Sequence, residues 1–404
     1  MEASQELEEL YPVADTRCIL PWIHQHGDLG GNYSPCCFTL SNEGQFDKGK
    51  RPLEAWNSDR MRNIRVQMLT GQEPEECKIC YDWEKDGVES HRQRSNKFYS
   101  QYHVLFSKTK PDGTLPTPPV YLDFRFGNLC NFKCRMCSSW SSSSWVKEEK
   151  FYGKLKPDAP GHVDNWTHNE KFWEDVDKIK NHIQILYFAG GEPFVQEGHY
   201  KMLQFLVDNN CAKNITLTYN TNLSYSGLFK GYDIEQLWSH FKKIDLWPSI
   251  EGWGDKAEYG RSGLDFKLFT ENSHKFTNYI NTYSIVSSVY SISSNLQLFK
   301  WIKSMNKAFS LTSLYSRPFH STTIFSSDVK KQLLEEYKKG LFEIKEDLSE
   351  YEIKSVLDTL SHMNSRDDSH LAKEFKEYNE RLDNYRVESF ETTFPELSEW
   401  YKSI

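Results

Sequence analysis

The sequence lacks any apolar run long enough to cross a membrane, and it lacks a surplus of basic charge. A transmembrane helix needs about 20 mainly apolar residues, and the 404 residues contain no such run. The net charge of -8 argues against nucleic acid as the main partner, because nucleic-acid-binding domains carry a basic footprint. The acidic residues 1–11 lack the basic and apolar regions of a signal peptide. We therefore expect a cytoplasmic protein without a membrane or nucleic-acid partner.

Internal repeats of solenoid length and long disordered tracts are also missing, which argues against a solenoid and against an extended disordered chain. The chain is 38% hydrophobic and 15% aromatic, which is enough for a sizeable core. Its length exceeds the size at which one core usually stops growing, so a main domain with appended modules is expected. Nine cysteines in a cytoplasmic chain indicate metal sites rather than disulfides.

Three cysteines fall in one short stretch, NLCNFKCRMC, which directly follows an apolar strand-like run. Cys130, Cys134 and Cys137 form a C-x3-C-x2-C array. Iron–sulfur clusters are held by cysteine thiolates, and a four-iron cluster with three protein ligands leaves one iron open to another molecule. The alternatives are a structural zinc site and three buried thiols. Zinc normally takes four ligands as two spaced pairs, and no C-x2-C partner adjoins this array.

A second group of cysteines precedes the array. It combines a G-x4-C spacing that begins at Gly31 with a later C-x2-C pair, and a predicted helix over residues 54–69 lies between them. Four thiolates that end in C-x2-C suit a small zinc ribbon as well as an iron–sulfur cluster, so both metals stay open. The candidate ligands are Cys18, Cys36, Cys77 and Cys80, with Cys37 as the alternative to Cys36.

The pattern divides the chain into an N-terminal cysteine-rich module (1–107), a linker rich in proline and glycine (108–119), a region of alternating strands and helices (120–327) and a charged helical extension (328–404). Alternating strands and helices predict a parallel sheet in an α/β fold. The predicted strands are 120–127, 183–189, 215–219, 244–250, 283–292 and 309–315.

Polar motifs follow the second, third and fourth of these strands. The glycines of GGEP permit close approach of the backbone, and arginine suits bidentate recognition of a carboxylate. Each motif also has a plain structural interpretation, as a strand-ending turn, a turn cap or a solvated surface residue. The candidate residues are Gly190, Gly191, Glu192, Asn220, Ser249 and Arg261.

The cysteine array followed by GGEP resembles the signature of the radical S-adenosylmethionine (SAM) enzymes. In that family a four-iron cluster binds SAM through its open iron, and its electron cleaves SAM to a 5′-deoxyadenosyl radical. The resemblance implies a partial (β/α)6 TIM-type barrel, in which GGEP contacts the ammonium of SAM while Ser249 and Arg261 hold its carboxylate. Active sites of such barrels lie at the C-terminal ends of the strands. Three positions depart from the family pattern: Met136 replaces an aromatic residue, Leu223 a glycine and Glu251 an aspartate.

The N-terminal cysteines, with a Trp-Asn-Ser segment and arginines between them, resemble the auxiliary-cluster module of SPASM and twitch radical SAM enzymes. Here the module precedes the barrel, whereas the family usually places it afterwards. The resemblance implies a second four-iron cluster that transfers electrons, and an electron donor such as flavodoxin or ferredoxin.

The implied reaction is abstraction of a hydrogen atom from a peptide or protein substrate. Dehydrogenation of a small polyol or aminocyclitol is the alternative, and a catalytically silent zinc-bearing interaction protein is the second. Asp123 and Arg125 share one face of the first strand and are expected to line the pocket. No catalytic acid or base is assigned. The C-terminal helices are expected to pack on the barrel, where a cover over the substrate entrance and a docking surface both stay open.

Overall fold

The computed structural model describes residues 16–39, 47, 49–85, 89–161, 166–224, 228–314 and 317–404. Residues 1–11, on which the signal-peptide expectation rests, lie outside these ranges, as does residue 315 at the end of the last predicted strand. The chain divides into a first unit (Met1–Asn128, Val163–Thr218, Leu228–Ile244) and a second unit (Leu129–His162, Tyr219–Gly227, Asp245–Ile404). None of the described helices is long and apolar enough to cross a membrane.

The fold is mixed α/β, with short strands and many helices. The strands are β1 (His24–Gly27), β2 (Tyr33–Ser34), β3 (Tyr121–Phe124), β4 (Lys133–Cys134), β5 (Ile185–Phe188), β6 (Thr216–Thr221), β7 (Lys243–Pro248), β8 (Arg261–Ser262), β9 (Thr282–Ser287) and β10 (Ala308–Ser313). The helices are α1 (Leu20–Ile23), α2 (Pro52–Trp56), α3 (Asp59–Leu69), α4 (Lys78–Lys85), α5 (His91–Phe98), α6 (Val146–Phe151), α7 (Glu170–Ile179), α8 (Glu197–Asp208), α9 (Ile234–Trp238), α10 (Asp255–Gly260), α11 (Phe266–Lys275), α12 (Asn295–Ser304), α13 (Ser327–Ile344), α14 (Glu350–Ser365), α15 (Ala372–Arg386), α16 (Phe390–Thr393) and α17 (Ser398–Ser403).

The main sheet has the strand order β2-β1-β3-β5-β6-β7. β1 runs antiparallel to β2 and parallel to β3, and β3 runs parallel to β5. β9 and β10 form a separate parallel pair, and parallel bridges at Leu246↔Ile280 and Ser249↔Ser284 link the β7 region to the β9 region. The parallel sheet expected from alternating strands and helices is therefore present.

The six predicted strands correspond to β3, β5, β6, β7, β9 and β10. Side chains along β6 and β9 alternate between buried and half-buried, as expected for a strand with one face against the core. The fifth predicted strand extends too far, because β9 ends at Ser287. The Ser291 amide then donates to the Ser288 carbonyl at 3.1 Å, which closes a turn and ends the extended path.

Strand β1 is absent from the prediction. Its sequence, HQHG, has no apolar residue and no alternation, yet all four residues are buried. The strand forms because its backbone pairs in register with β3, with His26 opposite Asp123. Residues of the predicted N-terminal module therefore belong to the main sheet, whereas the predicted domain boundaries stay predictions.

The helix predicted over residues 54–69 is broken in two. The Ser58 hydroxyl accepts a hydrogen bond from the Met61 amide at 3.3 Å and so begins α3 as its N-cap. Trp56, Met61 and Ile64 are buried in one apolar cluster, which confirms their interpretation as core.

Arg65 of α3 lies in this core with no exposed surface. Its guanidinium donates to the carbonyls of Pro21 (2.8 Å), Trp56 (2.8 Å) and Gly113 (3.2 Å), and to Oδ1 of Asn57 (2.9 Å). It also lies over the Trp56 ring, 4.6 Å from the centroid. One side chain therefore joins α1, the Trp-Asn-Ser segment and the predicted linker inside the first unit.

The C-terminal region of the second unit is helical, as predicted, with α13, α14 and α15 as its long helices. The apolar face of α15 buries Phe375, Tyr378 and Leu382. Further along, Trp400 and Tyr401 of α17 are also buried, which agrees with the expectation of an anchored segment there.

Candidate functional site

The cysteine loop of the second unit is held by a two-residue pairing. β4 runs antiparallel to β8, so that Cys134 lies opposite Arg261. The Arg135 amide extends the pairing by donating to the Gly260 carbonyl at 2.8 Å. Two candidate residues that lie far apart in the sequence are thus neighbours in the fold.

The serine-rich segment that follows the array fixes the loop from the other side. The Ser142 hydroxyl donates to the Phe132 carbonyl and the Ser144 hydroxyl to the Cys130 carbonyl, both at 2.6 Å. The Trp145 indole donates to the Cys134 carbonyl at 3.0 Å. Because these donors satisfy loop carbonyls outside the β4–β8 pairing, the rest of the loop keeps its irregular path. The run of serines in the sequence was the available signal for this role.

The three thiols of the array lie close together. A hydrogen bond between Cys137 and Cys134 lowers the pKa of Cys134 and raises that of Cys137, and the Arg261 guanidinium adds to the lowering at Cys134. Cys130 also acts on the pKa of Cys137, and its sulfur accepts the Phe132 amide at 3.5 Å. A thiol such as Cys134, whose pKa is lowered beside a cation, suits a metal or cluster, which binds only deprotonated cysteine.

Arg261 is nearly buried, so its interpretation as a solvated surface residue is wrong. Only 12% of its side chain is exposed, and its Nε and Nη2 donate to the two oxygens of Glu251, with 2.8 Å between Nη2 and Oε1. Burial alone would lower the pKa of Arg261, but Glu251 and the Cys134 thiol raise it. The position where the family has aspartate therefore carries the partner that orients Arg261.

The turn after β6 contacts the cysteine loop, and the remaining candidates of the second unit, Asn220 and Ser249, lie in β6 and directly after β7. Asn222 donates to Oδ1 of Asn131 at 2.9 Å, next to Cys130. Leu223 has φ +56°, a left-handed conformation that favours glycine, which is the residue of the family's turn. Asn220 lies at the half-buried face of β6, and the Ser249 amide donates to the Thr221 carbonyl at 2.8 Å.

GGEP forms a turn after β5 in the first unit. Gly190 and Gly191 both have positive φ, of +76° and +55°. A Cβ atom on Gly190 would lie 2.9 Å from Cδ of Arg125, so glycine is required by close packing as well as by conformation. Glu192 is buried, and its Oε1 accepts the Phe194 amide at 3.2 Å.

The four N-terminal cysteines come together in the first unit. Burial raises the pKa of Cys18 to about 12, with a smaller contribution from Cys80. Burial likewise raises the pKa of Cys36 and of Cys77, and in each case the Cys18 thiol adds to the effect. Cys18 and Cys80 are buried, and Cys36 and Cys77 are half-buried. Thiols whose ionisation is disfavoured by desolvation and by one another fit a site completed by a bound metal or cluster, which would supply the missing positive charge.

A buried polar row, not predicted as such, crosses three strands of the first unit. Its members are His26 of β1, Asp123 of β3 and Tyr187 of β5, which lie in register. His26 Nδ1 and Asp123 Oδ2 are 2.9 Å apart, and the Nε of Arg125 is 3.5 Å from Asp123 Oδ1. Burial would raise the pKa of Asp123, but His26 and Arg125 hold it well below its usual range. Asp123 is therefore a buried, paired carboxylate, and its place in the lining of a pocket stays a prediction.

Cys37 belongs to the surroundings of this row. Although Cys37 is an exposed residue, desolvation of its thiol raises the pKa to about 11, and the neighbouring Arg125 opposes that shift. Arg125 thus packs against Gly190 on one side and meets Cys37 on the other. The histidine of β1 escaped detection because single histidines are more often ordinary hydrogen-bonded residues.

The structure describes all nine cysteines, and none forms a disulfide. Across the described ranges, no three His, Cys, Asp or Glu side chains converge closely enough to hold one metal ion. Each cysteine group offers thiols only, which is the donor set of an iron–sulfur cluster.

No protein-family model matches the chain. Among solved structures, it is similar to Streptococcus suis SuiB bound to S-adenosylmethionine and to SuiB bound to the precursor peptide SuiA. Both comparisons give 13% identity and a TM-score of 0.38, and they cover 70% and 71% of this chain but only 63% and 64% of SuiB. The chain therefore spans less than two thirds of the length of SuiB, and a likeness at this level assigns neither family nor activity.

Proposed function

We propose that the chain is a radical SAM enzyme that abstracts a hydrogen atom from a peptide or protein substrate. The observation that carries this proposal is the set of three neighbouring thiols, Cys130, Cys134 and Cys137, beside the oriented guanidinium of Arg261. A four-iron cluster bound there would supply the electron that cleaves SAM. The proposal includes a partial (β/α)6 barrel over residues 120–327 and a cytoplasmic protein with a flavodoxin- or ferredoxin-type donor.

The residues around the thiols support this assignment by what they can bind. Glu251 occupies Nε and Nη2 of Arg261, and within the described residues Nη1 donates to no protein acceptor. Nη1 is thus available to the carboxylate of SAM, while Ser249, two residues before Glu251, offers a hydroxyl. In the first unit, Glu192 would accept from the ammonium of SAM.

Arg261→Ala is expected to weaken SAM binding by about 1.5–3 kcal/mol, the scale of a hydrogen bond to a charged group. Glu251→Gln should also weaken it, because Arg261 would lose the partner that orients it. Equilibrium dialysis with anaerobic, cluster-loaded protein measures both effects. Unchanged affinity in Arg261→Ala would remove Arg261 from the SAM site, and Arg62→Ala, which alters an exposed arginine, is the matched control.

For the first unit we propose an auxiliary four-iron cluster on Cys18, Cys36, Cys77 and Cys80. Full ligation by four thiolates leaves no open iron, which suits electron transfer rather than substrate coordination. Cys36 and Cys77 pack against the apolar cluster that contains Cys18, and the Cys18 and Cys80 thiols both raise the pKa of Cys77, which supports this assignment. The proposal includes a twitch-type module over residues 1–107, which precedes the barrel. Residues 108–119 would form the linker and residues 328–404 the helical extension.

Anaerobic protein is expected to carry about eight irons, because two four-iron clusters are proposed. Cys77→Ala should carry about four, because it removes a ligand of the auxiliary cluster. The variant should still form 5′-deoxyadenosine, because the SAM-binding cysteines are intact. Iron and zinc are measured together by mass spectrometry. Stoichiometric zinc with only about four irons in the parent would make this module a structural zinc ribbon instead.

We propose that Arg125, beside the polar row of the first unit, binds a group of the substrate. Arg125 lies between Gly190 of the proposed SAM turn and Cys37, which adjoins the proposed cluster ligand Cys36. A substrate group bound by Arg125 would therefore lie between the residues that serve the two cofactors. We favour a peptide or protein, because the aromatic and helical appendages offer more surface than a small polyol needs.

The test of the reaction is incubation of the anaerobically reconstituted enzyme with candidate peptides and metabolites in deuterated buffer, followed by mass analysis of 5′-deoxyadenosine. Formation that depends on a peptide supports the proposal. Dependence on a polyol instead would favour the dehydrogenase, and absence of reductive SAM cleavage from an iron-loaded enzyme would contradict the proposed function.

A further inference from the structure

Arg135 lies between Cys134 and Cys137 in the cysteine loop, and it has no role in the site described so far. Its side chain has no exposed surface. Nη1 donates to Oδ1 of Asn379 at 2.9 Å, and Nη2 lies 2.5 Å from a carboxylate oxygen of both Asp383 and Glu388. A buried guanidinium with two carboxylates and an amide is a specific arrangement, because each partner would otherwise be a buried polar group without compensation.

The backbone of Arg135 is also held on both sides. Its amide donates to the Gly260 carbonyl at 2.8 Å, and its carbonyl accepts the Tyr378 hydroxyl at 2.7 Å. Nε donates to the Tyr259 carbonyl at 3.1 Å, and the guanidinium lies 3.5 Å from the centre of the Tyr259 ring. The residue that separates two of the cysteines is therefore fixed in position and in direction.

Three of these partners, Tyr378, Asn379 and Asp383, belong to one helix, α15. Asn379, Asp383 and Arg386 recur at spacings of four and three residues, which places them on one face of a helix. Arg386 binds both oxygens of the buried Glu148, with 2.8 Å between Nη2 and Oε2. Glu148 in turn lies 2.5 Å from the Nζ of Lys133, in β4. α15 thus reaches the cysteine loop at two separate points.

We propose that α15 is a brace for the cysteine loop and that Arg135 is the positioning residue through which it acts. The inference rests on the proposed function, since the loop is taken to hold the SAM-binding cluster. A cluster needs its three sulfurs at fixed separations, and the loop itself has only two residues in regular structure. The helical extension is therefore part of this site, rather than only a cover or a docking surface.

The first test uses the full-length chain without metal, so that it does not depend on the identity of the cofactor. Cys134 is only 8% exposed, and its rate of alkylation by iodoacetamide, followed by peptide mass spectrometry, reports opening of the loop. We expect Arg135→Gln to raise that rate by about tenfold or more through local opening. Cys18 of the first unit is 7% exposed; its alkylation rate should stay unchanged, so it serves as the internal reference.

The matched control is Glu396→Gln. This substitution removes the ion pair between Glu396 and Lys256 of α10, and neither side chain of that pair belongs to the cysteine loop. It should leave the alkylation rate of Cys134 unchanged. Where Arg135→Gln does not fold, Glu388→Gln replaces it, because that carboxylate is 26% exposed and its loss is better tolerated. An unchanged Cys134 rate in the folded variant would overturn the brace.

The second test uses reconstituted protein. Arg135→Gln should lower iron at the SAM-binding site and alter the paramagnetic resonance spectrum of the reduced cluster on addition of SAM, and Arg135→Lys should restore part of the signal by keeping the charge. If the parent holds no iron while Cys134 still depends on Arg135, the proposed function fails and the brace stands. If the parent holds iron and SAM but Arg135→Gln changes neither test, the brace alone fails.

Discussion

Replacing Cys130, Cys134 and Cys137 together by Ala should abolish formation of 5′-deoxyadenosine and leave about half of the iron, because one of two proposed four-iron clusters would be lost. Cys134 and Cys137 hydrogen-bond to each other near Arg261, and the Cys130 thiol lies close enough to raise the pKa of Cys137. Removing them deletes every protein ligand of that site while the thiols of the first unit stay in place. The measurement is dithionite-driven SAM cleavage, assayed by mass, together with iron analysis.

The control for this experiment is Cys211→Ala, which removes a buried thiol outside both cysteine groups. It should keep both the iron and the activity of the parent. Reductive SAM cleavage that survives in the triple variant would show that the electron reaches SAM from another site. The assignment of the C-x3-C-x2-C array would then be wrong.

The strands were predictable because their signal is local. Alternation with period two marks β6 and β9, and turn residues bound them on both sides. The three long C-terminal helices were predictable for the same reason, since apolar residues recur along each at helical spacing. In both cases a window of about ten residues holds the information that decides the structure.

Strand β1 and the β4–β8 pair were not predictable, because partners remote in sequence create them. HQHG becomes a strand beside β3, although His26 and its partner Asp123 lie 97 positions apart in the sequence. Arg261 likewise pairs with Cys134, from which it is remote in the sequence. HQHG shows no apolar alternation, and the two residues of β4 and of β8 are too few to show any.

The residues of the candidate site also differ in whether the sequence alone could identify them. The cysteines and the glycines of GGEP could be found from spacing, because their chemistry depends on short sequence intervals. His26, Glu148 and Arg135 could not, since each acquires its role from side chains distant in sequence: Asp123, Arg386 and Asp383. Buried polar groups must find partners, so an unexplained arginine beside a cysteine array was the one available signal for Arg135.

Arg65→Met should reduce the free energy of unfolding by about 3–5 kcal/mol, since each buried acceptor left without a donor costs about 1–3 kcal/mol. The carbonyls of Pro21, Trp56 and Gly113 would lose the guanidinium that reaches all three. Burial lowers the pKa of Arg65 to about 9, so the side chain is still charged at neutral pH and its loss removes a charged donor. Denaturant unfolding of the metal-free chain, followed by tryptophan fluorescence, measures the change.

Arg62→Met is the matched control, because Arg62 lies on the same helix but is 33% exposed and pairs with the exposed Asp59. Such a surface pair contributes about 0–1 kcal/mol, so the control should lose little stability. Arg65→Lys should lie between the two, since one ammonium cannot reach carbonyls on three sides. Equal, small losses of unfolding free energy in Arg65→Met and Arg62→Met would mean that the Trp-Asn-Ser segment keeps its position without Arg65. Arg65 would then have to act at the proposed auxiliary cluster instead.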